Sequence, residues 1–405
     1  MRVLIVSQYF WPENFRINDL ACELTNRGHD VTVLTGLPNY PSGHVFKDFL
    51  AEPDKFGSHK NVKIVRVPIL PRGKGSIRLL LNYLSYSLNA CLLGPWKLRG
   101  QKFDVVLTCQ LSPVIVGLPG ALLAWLKRAP MAMWVLDLWP DTLKAIGVIK
   151  STQLLSIVTK LVAFIYQRCD LILAQSKSFI PKIRGLTSPH IPVLYFPSWA
   201  EDVYTTEAIS PAQEVPVKSG SFNVMFAGNI GEAQDFECIL SAAALLKSHS
   251  NIRWLIVGDG RMSSWVKSQI ELRGLSECVL LLGRHPVERM PEFFVHADAM
   301  LVTLTDQEIF SMTIPGKLQS YLASGIPVIA ALNGEGADII NHANAGFSCP
   351  AGNEVELARL VIKMSELSEG DRKTMGNNGL EFSKREFDRS MVVDMAEKYL
   401  SGLCK

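Results

Sequence analysis

The sequence predicts an α/β protein with two parallel-sheet domains, from its length, its alternation of apolar strands with helical segments, and a central stretch where that alternation stops. A chain of 405 residues is longer than one hydrophobic core usually grows. Its 48 % hydrophobic content suffices for real cores and argues against disorder. Fully apolar strands that alternate with helices imply parallel sheets covered on both faces.

The first domain begins with a β-α-β unit. Arg2–Ser7 is an apolar strand, Ile17–Asn26 has helical spacing, Gly28 ends that helix, and Asp30–Thr35 is the next strand. Leu37–Gly43 is a proline-stiffened loop at a strand end, where open α/β sheets place ligands. Strands follow at Val62–Val67, Phe103–Thr108, Met131–Leu136 and Leu171–Ala174, with helices at Val114–Leu126 and Leu154–Tyr166. Ile77–Leu93 is long and apolar but interrupted by Arg78, Asn82, Tyr83 and serines. Neither Ile77–Trp96 nor Leu111–Leu126 has the uninterrupted span of about 18 residues that a crossing helix needs. Both suit buried helices. The first also suits a helix lying on an anionic membrane surface, being flanked by Arg72, Lys74, Arg78, Lys97, Arg99 and Lys102.

Ala200–Ser221 has few large apolar groups, carries Ser210-Pro211, Val215-Pro216 and Ser219-Gly220, and reads as an interdomain linker. A second α/β series follows. Its strands are Phe222–Ala227, Ile252–Val257, Val279–Leu282, Ala299–Leu304 and Ile326–Ala330, with a short edge strand at Gly346–Ser348. Its helices are Phe236–Lys247, Met262–Arg273, Pro315–Ala323, Ala337–Ala343, Glu354–Ser365 and Asp371–Glu381. Two such domains joined by a linker make the cleft between them the default active site.

Composition narrows the function classes. A formal charge of +3 supplies no global basic field, and no zinc-finger or aromatic RNA-binding signature is present, so no nucleic-acid partner is expected. The eight cysteines stand singly with no CxxC pair, as in a reducing compartment. No basic leader with a long apolar run opens the chain, so a cytoplasmic location is expected.

The strand ends carry the candidate chemistry. Gly228-Asn229-Ile230-Gly231 lies between a strand and a helical segment, where glycines let backbone approach a ligand. Gly258-Asp259-Gly260 is equally placed, although a plain turn with Asp259 bonding its own backbone explains it as well. In Thr313-Ile314-Pro315-Gly316-Lys317-Leu318-Gln319-Ser320, proline fixes a helix start whose amides remain open to a diphosphate. Lys317 adds a mobile positive charge, and Thr313 and Ser320 add hydroxyls. A capped helix with a solvent-facing lysine is the bland alternative. In the first half, Asp137 and Asp141 flank Trp139-Pro140 beyond a strand and could hold hydroxyls or take a proton, or simply cap a turn. Arg16, in Glu13-Asn14-Phe15-Arg16, could meet an anionic substrate or pair with Glu13 or an aspartate. His285 beside Arg284 could line the cleft or bond locally. No HExxH or DxD cluster is present, which favours a reaction without a metal.

These stretches together resemble the retaining GT-B glycosyltransferases of family 4, and more narrowly the bacterial surface-polysaccharide branch of L-fucosamine transferases. The resemblance is carried by Gln8-Tyr9-Phe10-Trp11-Pro12-Glu13-Asn14-Phe15-Arg16, the Leu37–Gly43 loop, Asp137-Leu138-Trp139-Pro140-Asp141 and Gly228–Gln234. It continues through Gly258-Asp259-Gly260 and Pro315-Gly316-Lys317…Gly325-Ile326-Pro327-Val328, and it covers essentially the whole chain.

The resemblance implies two Rossmann-like domains facing across an interdomain cleft. Residues 1–200 would form the acceptor domain, completed by a returning helix within 385–405, and residues 201–384 the nucleotide-sugar domain. It implies a UDP-sugar donor, with N-acetyl-L-fucosamine or a related deoxy amino sugar transferred to a polyprenyl-diphosphate-linked saccharide at the inner membrane surface, and no cofactor. Asn229, Gly231, Gln234, Gly258, Gly260, Arg284, His285, Thr313, Pro315, Gly316, Gln319 and Ser320 would serve the donor. Asn14, Phe15, Arg16, Asn39 and Tyr40 would serve the acceptor. Asp137, Asp141 and Lys317 would serve the chemistry. The chain departs from the family pattern in having Asn229 and Gln234 where many members have Arg and Lys. Met312 and Ser320 occupy the positions of a paired-glutamate element, and Glu308 is off register. Rival classes are another sugar-nucleotide enzyme, such as an epimerase, and a non-catalytic membrane-associated assembly protein.

Overall fold

The computed structural model describes every residue except 42, 74, 146, 150, 202, 205–208 and 405, together with all but the side chain of Ser76. The chain divides into two units, one of Met1–Pro197 with Ser390–Lys405 and one of Ser198–Arg389. The expected divisions after residues 200 and 384 therefore move to 197 and 389.

Unit one contains β1 (Arg2–Val6), α1 (Arg16–Asn26), β2 (Asp30–Gly36), α2 (Lys47–Ala51), β3 (Ser58–His59), β4 (Val62–Val67) and α3 (Ser76–Lys97). It continues with β5 (Val105–Gln110), α4 (Gly117–Lys127), β6 (Met131–Val135), α5 (Asp141–Ala145), α6 (Thr152–Tyr166), β7 (Leu171–Ala174), α7 (Phe179–Arg184) and β8 (Val193–Tyr195). The sheet order is β3-β4-β2-β1-β5-β6-β7-β8, parallel except for the β3–β4 pair. The central strands are apolar because helices cover both faces, and all of β5 and β6 is buried. The connection from β1 runs one way along the sheet to β2, and the later ones run the other way from β4 to β5, β6 and β7. Right-handed crossovers then put α1 on one face and α3, α4 and α6 on the other.

In unit two the elements are β9 (Phe222–Ala227), α8 (Phe236–Leu245), β10 (Ile252–Val257), α9 (Ser263–Leu272), β11 (Val279–Gly283), α10 (Met290–Phe294), β12 (Ala299–Thr303) and α11 (Glu308–Ser311). After these come α12 (Gly316–Ala323), β13 (Val328–Ala331), α13 (Glu335–Ala343), β14 (Gly346–Cys349), α14 (Glu354–Glu366) and α15 (Glu369–Glu386). Its parallel sheet runs β11-β10-β9-β12-β13-β14. Phe226, Phe236, Ile239, Trp254, Leu301 and Val361 lie in its core. The chain then closes with α16 (Arg389–Ser401), the helix that returns to unit one. Arg27 holds it by ion pairs with Asp394 and Glu397, and His29 Nε2 is 3.0 Å from Glu397.

Two sequence expectations change. Within the 200–221 stretch, the part around Ala212 and Val215 is not a free linker, because it packs within unit two. Ala212 and Val215 are buried, the Ala212 amide donates to Glu292 O, and His296 Nε2 lies 3.0 Å from Ala212 O. Short apolar anchors did there what a composition reading does not register. The Ile77–Trp96 segment is helical but not a buried helix. Asn82, Tyr86 and Ala90 face the sheet at intervals of four residues, whereas Ile77, Leu80, Leu84, Leu88, Leu92 and Trp96 are exposed on the opposite face. Trp125 and Leu126 of α4, and Leu154, Ile157 and Phe164 of α6, extend the exposed apolar surface on that side of the sheet. No helix among the described residues is long and apolar enough to cross a membrane.

Candidate active site

In a doubly wound sheet, ligands bind beyond the strand carboxyl ends where the winding reverses. In unit two this point lies between β9 and β12. The turn after β9 holds Gly228–Gly231, and the helix α12 follows β12 and α11. Lys317, in the first turn of α12, stretches back over the β9 end. Its Nζ lies 3.7 Å from the centroid of the Phe226 ring and donates to Gln234 Oε1 at 2.5 Å. The lysine is partly buried, and desolvation pulls its pKa well below the usual lysine range. Its described contacts include no carboxylate, so a buried positive charge there is balanced only by a ring face and an amide oxygen.

The glycine turns are stacked against one another. A Cβ on Gly258 would fall 1.8 Å from the Gly228 carbonyl oxygen, and one on Gly260 would fall 2.2 Å from Ile230 O. Backbone bonds tie the layers, from Gly228 N to Val257 O, Ile230 N to Asp259 O and Gly258 N to Gly283 O. Asn229 is exposed beside Gly231. Asp259 accepts from its neighbours Gly260 N and Ser263 Oγ, as a local turn requires.

Other donor candidates are already engaged. Pro315 is the N-cap of α12, so the helix begins one residue later than expected, and the Gly316 amide opens it at an exposed position. Thr313 Oγ1 donates back to Ile309 O, Ser320 Oγ to Glu201, and Gln319 Nε2 to Ser198 O. Gln319 and Ser320 therefore pin the 198–201 segment. His285 Nε2 donates to Leu282 O at 2.8 Å, its Nδ1 lies 3.3 Å from Arg289, and Arg284 is exposed. A hollow of about 670 Å³ lies elsewhere in unit two, beside Ser210, Glu214 and Arg289. Its charges are matched internally, since Arg289 pairs with Glu214 and Glu292.

In unit one the winding reverses between β1 and β5. Tyr9 follows β1, Asn39 and Tyr40 follow β2, Ser112 follows β5, and Asp137 follows β6. Asp137 accepts from Thr142 Oγ1 at 2.5 Å and Trp139 Nε1 at 2.9 Å, with the Ser112 hydroxyl nearby, yet desolvation still raises its pKa. Asp141 lies apart from that bond set, with its carboxylate 3.5 Å from Lys182 Nζ. Phe15 stacks on Tyr9 at 5.3 Å and leans on Tyr40 at 5.2 Å, Asn14 is exposed, and Arg16 opens α1.

Glu13 organises these loops. It is buried, and it accepts from the amides of Asn39 at 2.8 Å, Tyr40 at 2.7 Å and Phe10 at 3.3 Å. Burial pushes its pKa up to about 7, against the opposing pull of those amides and of Arg66. Asn82, from within α3, accepts from Gln8 Nε2 and Tyr9 and donates to Leu70 O. Its neighbour Tyr83 lies beside Ser112. Arg72, expected on a surface patch, instead lies 5.3 Å over the Tyr40 ring, near enough to the Tyr9 hydroxyl for its charge to act there. Sequence reading missed Tyr9, Arg72, Tyr83 and Ser112 as site residues. The available signal was Asn82-Tyr83 interrupting an apolar helix. Ser42 of the loop and Lys74 of the patch lie outside the described residues.

Comparison with known proteins agrees with this layout. Residues 14–199 match the glycosyl transferase 4-like domain, and residues 211–382 match glycosyl transferases group 1. The chain is 26 % identical over 276 residues to a probable glycosyltransferase, WbjE, of Pseudomonas aeruginosa, covering 66 % of this chain and 68 % of WbjE. It is 23 % identical over 341 residues to the putative colanic acid biosynthesis glycosyl transferase WcaI of Escherichia coli, covering 80 % and 82 %. Among solved structures, Anabaena HepE in complex with UDP and glucose superposes with a TM-score of 0.70 at 16 % identity, over 99 % of this chain and all of HepE. WaaG, a glycosyltransferase of lipopolysaccharide biosynthesis, gives 0.67 at 14 % identity, over 99 % and 100 %. The fold is thus GT-B, with two Rossmann-like parallel-sheet domains. With a 4-like domain followed by a group 1 domain over most of its length, the chain is a glycosyltransferase.

Proposed function

We propose that this enzyme moves a sugar, N-acetyl-L-fucosamine or a related deoxy amino sugar, from UDP to a polyprenyl-diphosphate-linked saccharide during surface-polysaccharide synthesis, with retention of configuration. Lys317 carries the donor half of this reading. A lysine held over Phe226 with no carboxylate among its described contacts, beside stacked glycine turns and the open end of α12, suits a diphosphate. The UDP complex of HepE and the colanic acid and lipopolysaccharide roles named for WcaI and WaaG support the class of donor and product.

In this reading, charge building on the departing diphosphate meets Lys317 and the first amides of α12. The leaving phosphate takes the acceptor proton on the face where it departs, and Asp137 orients the acceptor without acting as nucleophile. O-antigen, capsule and exopolysaccharide are the candidate polymers.

The exposed face of α3, α4 and α6 would seat the enzyme on the inner face of the cytoplasmic membrane. Its Trp96 and Phe164 carry Arg99 and Arg168 over their rings, a pairing suited to an anionic interface. A groove of about 920 Å³ between α4 and α6, lined by Leu118, Leu122, Trp125 and Phe164, continues that face. The test is a screen of UDP-sugars against lipid-linked acceptors, read by product mass and anomeric linkage. Transfer with retention is expected. Donor hydrolysis or epimerisation without a transfer product would refute the reading.

A further inference from the structure

We propose that Arg72 forms a phosphoanion subsite in unit one, which holds the diphosphate of the acceptor while Asp137 addresses its sugar. The proposal rests on the acceptor assignment of unit one given above. Arg72 reaches the strand carboxyl ends from the segment between β4 and α3. Its backbone amide donates to Asn39 Oδ1 at 2.9 Å, which fixes where the side chain starts. The guanidinium then lies over the Tyr40 ring, close enough to the Tyr9 hydroxyl for its charge to act there.

A guanidinium has five N–H donors in a planar fork that matches two phosphate oxygens. Among the described residues, the Arg72 guanidinium has a ring beneath it and no carboxylate paired with it. Arginines 2, 27, 273 and 289 each meet an acidic partner. An aromatic face beneath a guanidinium leaves its edge donors free for an anion.

The surroundings connect this cation to Asp137. Tyr83 is close enough to Arg72 and Asp137 for both charges to act on it, and Ser112 lies beside both Tyr83 and Asp137. Burial raises the pKa of both Tyr9 and Tyr83. They remain neutral at working pH and do not compete with an anion for Arg72. The chain Arg72, Tyr83, Ser112, Asp137 thus runs from an anion-recognising end to a hydroxyl-recognising end along one sheet edge. An acceptor with a phosphoanion next to its sugar matches that order.

The test is calorimetry on the full chain with UDP saturating, so that the diphosphate site of unit two is filled. The probes are geranyl diphosphate, geraniol and inorganic pyrophosphate. Wild type is expected to bind geranyl diphosphate, with Arg72→Ala at least tenfold weaker, Arg72→Lys between them, and UDP affinity the same in all three. Loss of binding with geraniol locates the recognition in the phosphoanion. Pyrophosphate binding that also depends on Arg72 shows that the lipid tail is not required. Equal affinity of wild type and Arg72→Ala for geranyl diphosphate overturns the proposal, as does its complete displacement by UDP. Failure of wild type to bind UDP would instead refute the donor reading. Thermal melts that match wild type establish that each variant is folded.

Discussion

The ammonium of Lys317 sits 3.7 Å from the centroid of the Phe226 ring, a helix of unit two reaching back over the strand that precedes the glycine turn. The ring face and Gln234 are weak counterparts for a desolvated cation, and the lowered pKa expresses that deficit. A diphosphate would supply the missing negative charge.

Replacing Lys317 by Met should therefore weaken UDP binding by about 1.5–3 kcal/mol, roughly 10- to 150-fold, the range for a charge-assisted hydrogen bond. Because burial lowers the pKa of the lysine, UDP should raise it again. Binding should then take up a proton in the pH range where the free enzyme is partly deprotonated. Calorimetry in buffers of different ionisation enthalpy measures both effects. Unaltered affinity in Lys317→Met would return the residue to a packing role.

Glu13 should make stability depend on pH. Its folded pKa of about 7 lies above the ordinary carboxyl value. The fold therefore prefers the protonated acid, a preference fully present below about pH 4.3 and lost as pH rises through 7. Wild type should lose about 3 kcal/mol relative to Glu13→Gln between pH 4 and pH 8. Denaturant melts of both proteins across that range check the difference in slope. Parallel profiles would show that Glu13 is already ionised at low pH in the native state.

Transfer should survive chelation. Among the described residues no three His, Cys, Asp or Glu side chains are grouped to hold a metal, and Lys317 with the α12 amides can meet the leaving-group charge. Initial rates with and without EDTA provide the check. Abolition by EDTA with recovery on adding one metal would refute this prediction.

The α3–α4–α6 face should bind vesicles that contain acidic lipid. Lys97, Arg99, Arg128 and Arg168 are exposed near the C-terminal ends of α3, α4 and α6, the ends that precede the next strands. Each well-placed basic residue can add about 1 kcal/mol at an anionic surface. Changing these four residues to Gln should reduce flotation and its salt sensitivity while leaving UDP affinity intact. Arg72 is left out of this set, because it stacks on Tyr40 in the site. Equal flotation of both proteins, or none by wild type, would sink the membrane reading.

Much of the architecture was legible locally. Val62–Val67, Leu171–Ala174, Phe222–Ala227 and Ile252–Val257 form strands at the positions read from their apolar runs. A central parallel strand must be apolar on both faces, so composition alone exposes it. The short helices Phe179–Arg184 and Met290–Phe294 and the strand Val193–Tyr195 were not legible, because they are held by their neighbours more than by their own periodicity.

Site residues divide in the same way. The sequence by itself placed the strand-end glycines and Asp137, because each sits where a strand run stops, and it placed the start of the Lys317 helix to within one residue, because Pro315 marks it. Only the tertiary structure decided that Glu13 clamps the Asn39–Tyr40 loop, that Ser320 serves Glu201, and that Arg72 turns towards Tyr9 and Tyr40. It also decided that the apolar side of α3 faces outward. A side chain's partner depends on which strand ends the sheet order brings together, and no local periodicity encodes that order.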